Sequence, residues 1–239
     1  SLVPPMHRSS RIPRLSRTPL PVFLMKMSLD HQQGPGMIDK QAARRAFDLA
    51  ASTYDDAAVL QREIGRRLLE RLEYVRLQPK TILDLGCGTG ELLSALRRRY
   101  RKARLIGLDF APGMLRQAAR RMGGPLTLNR PRLLCGDMET LPLADASVDL
   151  IVSNVSLQWV NDLGAVFAEQ LRVLRPGGLL LFTTFGPDTL KELRAAWRAA
   201  DLALQQTSGV SVGANLGEHD PGERHVSPFL DMHDIGDAL

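Results

Sequence analysis

The sequence predicts an α/β fold, a doubly wound parallel sheet, on three observations. Five short apolar runs, opening at Thr81, Arg104, Arg132, Asp149 and Leu179, alternate with segments whose apolar residues recur at helical spacing. The first run leads into a loop with glycines at alternate positions, Gly86, Gly88 and Gly90. The first three runs each carry an acid at or just past their ends: Asp84, Asp109 and Asp137. Ligands of such sheets bind at the carboxyl ends of the strands, which is where these residues fall. With 239 residues the chain is long enough for one large α/β domain or two small ones.

Residues 1–38 read as a disordered leader. Six prolines lie between Pro4 and Pro35, a density that defeats a helix. Arginines and serines with few acids also suit an organellar transit peptide, but such peptides are amphipathic helices. Read-through from upstream of the true start is the third reading, since Met25, Met27 and Met37 lie just ahead of the first good helical pattern. Residues 39–78 read as an N-terminal helical lid. Phe47, Ala50, Ala51 and Tyr54 share one face, the pattern breaks over Ser52–Asp55, and Ile64, Leu68, Leu72 and Val75 make a second amphipathic helix ending near Pro79.

Residues 79–204 carry the sheet. Thr81–Leu85 is the first strand, and Leu92, Leu93 and Leu96 open the helix after the glycine loop. Glycines at such a turn accept positive φ and let a ligand approach the backbone, while the helix beyond presents unpaired N–H groups. A phosphate-binding loop would place Lys-Ser/Thr after its last glycine, whereas Glu91-Leu92 follow Gly90. A dinucleotide loop spaces its glycines G-x-G-x-x-G, whereas this one reads G-x-G-x-G behind Asp84.

Arg104–Asp109 is the second strand, and Asp109 lies 19 positions after Gly90, near the roughly 20 expected of a carboxylate that bonds ribose hydroxyls. Pro112 suits a helix start, with Met114 on its apolar face. Arg132–Cys135 is the third strand and leads to Asp137 and Met138. Asp149–Asn154 is the fourth, apolar enough to be buried on both faces. Leu163, Val166, Phe167, Leu171 and Leu174 form a helix stripe stopped by Arg175-Pro176-Gly177-Gly178, and Leu179–Phe185 is the fifth strand. Thr189 and Glu192 read as a capping box opening the next helix. Residues 205–239 read as a substrate-side insertion with an incomplete C-terminus.

The alternation, with D-L-G-C-G-T-G at 84–90, the acid Asp109, G-D-M at 136–138 and L-R-P-G-G at 174–178, resembles the Rossmann-like class I methyltransferases that use S-adenosylmethionine (SAM), over residues 40–204. The resemblance implies a sheet of seven strands, so the chain is expected to lack the last two through C-terminal truncation, leaving the fifth as an exposed edge. It implies a cofactor site of Tyr54, Asp84, Gly86, Gly88, Gly90, Asp109, Met114, Asp137, Met138 and Asn154. Asp109 would bond the ribose, Asp137 the adenine amino group, and Met138 would pack on the ring. The cationic methionine end of SAM suits a loop beside Asp84 better than one built for anions.

Three further segments resemble narrower families. Ser156-Leu157-Gln158-Trp159-Val160 is similar to methyltransferases of carboxylates, including the trans-aconitate type. Residues 185–194 and 225–236 resemble the malonyl-acyl carrier protein O-methyltransferases of biotin synthesis, with looser likeness to an arginine-hydroxylating assembly factor of mitochondrial complex I. The biotin family implies methylation of the free carboxyl of malonyl on acyl carrier protein (or malonyl-CoA), which starts the pimeloyl moiety. A carboxylate is already the nucleophile at neutral pH, so no catalytic base and no metal are expected; positioning and desolvation do the work. Gln158 and Trp159 are candidates to line the substrate pocket, and Arg194 and Arg198 to hold the carboxylate. A complex I assembly role or a non-catalytic SAM-binding module remain the alternatives.

Charge narrows the partners. The formal charge of +5 is concentrated in residues 1–36, where five basic groups face only Asp30. Of 31 basic and 26 acidic residues, that leaves 26 and 25 for the rest, so no nucleic-acid partner is expected. The basic cluster Arg97, Arg98, Arg99, Arg101 and Lys102 could steer an acidic carrier protein, or simply satisfy a helix C-terminus. No run approaches the roughly 18 apolar residues of a membrane span. Cys87 and Cys135 are expected two strand spacings apart, about 9–10 Å, beyond the roughly 7 Å that a disulfide bridges. Free thiols suit a cytoplasmic setting, with a mitochondrial one as the alternative.

Overall fold

In a computed structural model, the described residues are 37–124, 127, 129–186 and 188–208. Residues 1–36 of the expected leader and the C-terminal segment from 209 onward lie outside them. The sheet has five parallel strands in the order β3-β2-β1-β4-β5: β1 Thr81–Leu85, β2 Arg104–Asp109, β3 Arg132–Cys135, β4 Val148–Asn154 and β5 Leu174–Thr183. Among the described residues β5 is one edge and β3 the other. The order reverses between β1 and β4, which opens a crevice at their carboxyl ends.

Alternation along the central strands explains the two packed faces. Leu83, Leu85, Ile106, Leu108 and Ile151 face helix α6 (Leu163–Val173), where Val166, Phe167 and Val173 are buried against them. Ile82, Leu105, Leu150 and Val152 face the other way, onto α3 (Val59–Arg71) and α4 (Glu91–Arg99) through Leu68, Leu93 and Leu96. Leu93 is fully buried; truncation to Ala would cost about 2–5 kcal/mol. α5 (Pro112–Arg121) closes the same layer through Ala118 and Met122. At the amino ends of the strands, Asp149 Oδ2 accepts from Lys80 N at 2.8 Å and Thr81 N at 2.7 Å, and Oδ1 accepts from Arg175 Nη1 at 2.8 Å. One carboxylate therefore ties the starts of β1, β4 and β5 together.

The N-terminal region differs from the expected helix pair. It holds α1 (Lys40–Ala50), a single turn α2 (Tyr54–Ala57) and α3, followed by a 3-10 turn over Leu72–Tyr74. Asp39 caps α1, accepting from Gln41 N and Ala42 N at 2.9 Å each. Ala58 leaves helical geometry, with ψ 37°, and so separates α2 from α3. Val75 lies past the helix and is exposed.

Three boundaries around β5 also differ. The strand starts at Leu174, paired with Val148, and carries Arg175-Pro176-Gly177-Gly178 as a bulge before Leu179 pairs with Leu150. Leu174 is therefore a strand residue, and Leu171 points to solvent at 58% exposure rather than joining the helix stripe. The strand ends at Thr183, short of Phe185. Helix α7 begins at Lys191 after Leu190 at φ 58°, so Thr189 stands two residues ahead of it and the expected capping box is not formed.

Candidate functional site

After β1 the chain is held against β2: Gly86 N and Cys87 N both donate to Leu108 O, at 2.8 and 2.9 Å. The three loop glycines all have positive φ, but they serve different ends. A Cβ on Gly86 would stand 2.5 Å from Ser156 Cβ, and one on Gly90 would stand 3.0 Å from Ala118 Cβ. Those two permit close packing. Gly88 has nothing within 4 Å of its missing Cβ, because it faces open space.

That space has two parts that meet along Tyr54, Gly86, Gly88 and Asn154. The smaller, about 70 Å³, lies toward β2 and β3 and is lined by Asp109, Phe110, Met114, Asp137, Met138 and Trp159. An aromatic cluster frames it: Phe47 meets Phe110 edge-on at 5.6 Å and Trp159 at 5.1 Å, with Tyr54 at 6.4 Å. The larger, about 520 Å³, runs between α3 and α4 and is lined by Asp84, Gly88 and Thr89 on one side and Gln61 and Arg62 on the other.

The carboxylates have distinct surroundings. Asp109 Oδ2 accepts from Gly88 N at 2.8 Å and Oδ1 from Ala111 N at 2.9 Å. Burial pushes its pKa up to about 6 despite those bonds. Asp84 is more enclosed, and its Oδ2 is buried with no hydrogen-bond partner among the described residues. Burial, with a smaller contribution from the charge of Asp109, pushes it up to about 8. Burial and the same two acids hold the Cys87 thiol well above its usual value, so it stays protonated. Both cysteines are free. Tyr54 is likewise raised, by burial first and then by Asp109 and Asp55.

Asp137 is engaged from α1: Lys40 Nζ reaches Asp137 Oδ2 at 2.6 Å and Glu139 Oε2 at 2.7 Å. Partial burial alone would lower the Lys40 pKa, but these two bonds outweigh it and hold it above the usual value. Glu139 Oε1 also accepts from Asn161 N at 2.7 Å, and Asn161 exchanges bonds with the Ile38 backbone at 2.7 and 3.0 Å. At α2, Thr89 Oγ1 donates to Asp55 Oδ1 at 2.6 Å and Arg121 Nη2 to Asp55 Oδ2 at 2.6 Å. Asp48 accepts from Gly113 N. The N-terminal helices are thus fastened to the segments after β1, β2 and β3.

Of the expected site residues, Tyr54, Asp84, Gly86, Gly88, Asp109, Met114, Asp137, Met138 and Asn154 come together around this space. Gly90 is not among its lining residues. Asn154 spends both polar ends on structure, donating to Gln61 O at 2.9 Å and accepting from Thr183 Oγ1 at 2.8 Å. Trp159 lines the smaller cavity, whereas Gln158 turns back to Val155 O at 2.8 Å. Arg194, which donates to Thr189 O at 2.9 Å, and exposed Arg198 line neither part. Lys40, Phe47, Phe110 and Arg62 were not among the expected site residues. Phe110 had a signal, its place directly after Asp109; the others depend on how α1 and α3 pack against the sheet. Among the described residues no cluster of three or more His, Cys, Asp or Glu could hold a metal, and no helix is long and apolar enough to cross a membrane.

The chain is similar to known proteins in sequence and fold. A family described as a methyltransferase domain matches residues 83–182. The chain is 51% identical over 206 residues to the malonyl-[acyl-carrier protein] O-methyltransferase of Methylovorus sp. (strain MP688), covering 85% of this chain and 63% of that protein. It is 45% identical over 202 residues to the protein of the same name from Halorhodospira halophila, covering 84% and 61%. The chain therefore spans less than two thirds of the length of these relatives. A chain of a Haloferax volcanii complex containing the Trm112 methyltransferase activator superposes with a TM-score of 0.56 at 22% identity, over 80% of this chain and 75% of that one. A SAM-dependent methyltransferase from Aquifex aeolicus superposes at 0.50 with 21% identity, over 59% and 73%. These two likenesses concern the fold alone: a Rossmann-like parallel sheet of the class I methyltransferase type.

Proposed function

Given that residues 83–182 match a methyltransferase domain family, we propose that the chain is a SAM-dependent O-methyltransferase of the free carboxyl of malonyl-acyl carrier protein. The observation that carries the substrate is the 51% identity to a relative of that name, held over 206 residues. The site carries the cofactor. A buried carboxylate oxygen without a partner, on Asp84, suits a cationic group, and the open face of Gly88 admits a ligand against the backbone. Asp109 retains lone pairs for hydroxyls beyond the N–H groups it already accepts. Asp137, Met138 and the ring of Phe110 offer an acceptor and apolar faces for a purine.

When bound, SAM supplies an electrophilic methyl on a sulfonium, and a carboxylate takes it with no proton to remove. The protein's contribution is therefore position and exclusion of water. Phe47 and Tyr54, from a lid formed by residues 39–78, roof the site together with Trp159 from the turn after β4, and Asn154 fixes the end of β4 to α3 beneath it. The partner is acyl carrier protein and the setting cytoplasmic. The test is transfer of label from methyl-labelled SAM to malonyl-acyl carrier protein. A base-labile methyl ester is expected on the malonyl protein and none on the acetyl form. No transfer by a preparation that binds SAM would remove malonyl as the substrate, and no binding of SAM would remove the cofactor.

A further inference from the structure

We propose that Arg62 is a carboxylate-binding residue of the cavity between α3 and α4. This rests on reading that cavity as part of the cofactor and substrate site. Most charges on its walls are already paired or exposed. Glu63 is occupied by Arg66 at 2.7 Å and Arg67 at 2.8 Å. Asp55 is taken by Thr89 and Arg121, and Glu91 lies 3.5 Å from Arg121. Arg98 is exposed and donates to Ser94 Oγ at 3.0 Å. Two ionisable groups differ. Arg62 Nη1 donates to the main-chain carbonyl of Asp55, a neutral acceptor that leaves the guanidinium charge uncompensated by that bond. Asp84 Oδ2, on the opposite wall, is buried without a hydrogen-bond partner among the described residues.

Arg62 is also half-buried, which lowers the competition from water, and its planar fork keeps further N–H donors for a bidentate acceptor. α2 and α3 hold it over the glycine loop, because Asp55 is fixed to Thr89. A carboxylate entering the cavity would find a cation on the α3 side. An ammonium on the same ligand would find Asp84 on the β1 side. Two ligands of the proposed reaction present a carboxylate, the amino-acid end of the cofactor and the malonyl end of the substrate, and the experiment separates them.

Calorimetry on the full chain compares wild type with Arg62→Met and Arg62→Lys, using S-adenosylhomocysteine and 5′-methylthioadenosine, which lacks the amino-acid end. A charged hydrogen bond is worth roughly tenfold to hundredfold in affinity. If the cofactor end is the ligand, Arg62→Met weakens S-adenosylhomocysteine by that factor, leaves 5′-methylthioadenosine unchanged, and Arg62→Lys recovers part of the loss. If the malonyl end is the ligand, S-adenosylhomocysteine is unaffected, and the variant instead loses the preference for malonyl- over acetyl-pantetheine measured with S-adenosylhomocysteine present. Unchanged binding in both arms overturns the proposal. Failure of wild type to bind S-adenosylhomocysteine overturns the underlying site reading instead. Should Arg62→Met not fold, Arg62→Lys is read alone, and wild-type affinities in both arms again overturn the proposal.

Discussion

Lys40 Nζ stands 2.6 Å from Asp137 Oδ2, so the first residue of α1 is tied to the carboxylate after β3, 97 positions along the chain. Both side chains are partly exposed, at 26% and 42%, and such pairs contribute about 0.2–1 kcal/mol. Lys40→Ala should therefore leave the melting temperature within a few degrees while loosening the lid. Hydrogen exchange should show α1 amides exchanging several times faster with the sheet unchanged. Equal exchange in α1 would mean that Asn161 and Asp48 hold the lid without Lys40.

Asp109→Ala should abolish measurable binding of S-adenosylhomocysteine. It removes the acceptor for Gly88 N and Ala111 N at once, and each unpaired buried donor costs about 1–3 kcal/mol. Asp109→Asn keeps one acceptor and should bind more weakly than wild type but better than the alanine variant. Calorimetry beside a thermal melt separates the loss of ligand contacts from the loss of the loop.

Gly88→Ala and Gly90→Ala should fail in different ways. Both positions have positive φ, which costs an alanine about 1–2 kcal/mol. At Gly90 the new methyl also meets Ala118 Cβ at 3.0 Å and its Cα at 3.2 Å, so denaturant melts should show the larger loss there. At Gly88 the methyl enters open space, and ligand affinity should fall more than stability. Equal effects on both readouts would contradict this division.

Ligand-free stability should fall as pH rises across the neutral range. Asp84 and Asp109 are pushed up to about 8 and about 6 by burial, against about 4 in an unfolded chain. The folded state thus binds more protons between those values, and the contribution is full below about pH 4 and is lost as pH rises through the folded pKa values. Asp84→Asn should flatten the upper part of a plot of melting temperature against pH. A slope between pH 6 and 8 identical to wild type would place the titration elsewhere.

The sheet was legible because its central strands are buried on both faces and so read as unbroken apolar runs; Ile82, Leu83, Leu150 and Ile151 have no exposure at all. The glycine loop and the acids at 84, 109 and 137 were legible for a related reason, since each sits at a fixed step from a strand end. The start of β5 was not. Pro176, Gly177 and Gly178 carry the local signal of a stop, and only the pairing of Leu174 with Val148 makes them a bulge. The roles of Gly90, Gln158 and Arg62 were hidden for another reason: packing against a distant helix or a turn decides them, and no periodicity records it. Lys40 belongs with these, because its acid partners, Asp137 and Glu139, lie beyond three intervening strands.

Asp149 gives the molecule a stiff end and a compliant one. Its single carboxylate stitches the roots of β1, β4 and β5, far from the cavities, whereas the tips of those strands carry the glycine loop, Asn154 and the lid contacts. Thermal motion should therefore grow along each strand from root to tip, as in a fan pinned at its handle. Adjustments needed to admit a ligand can then be made at the tips without disturbing strand register below.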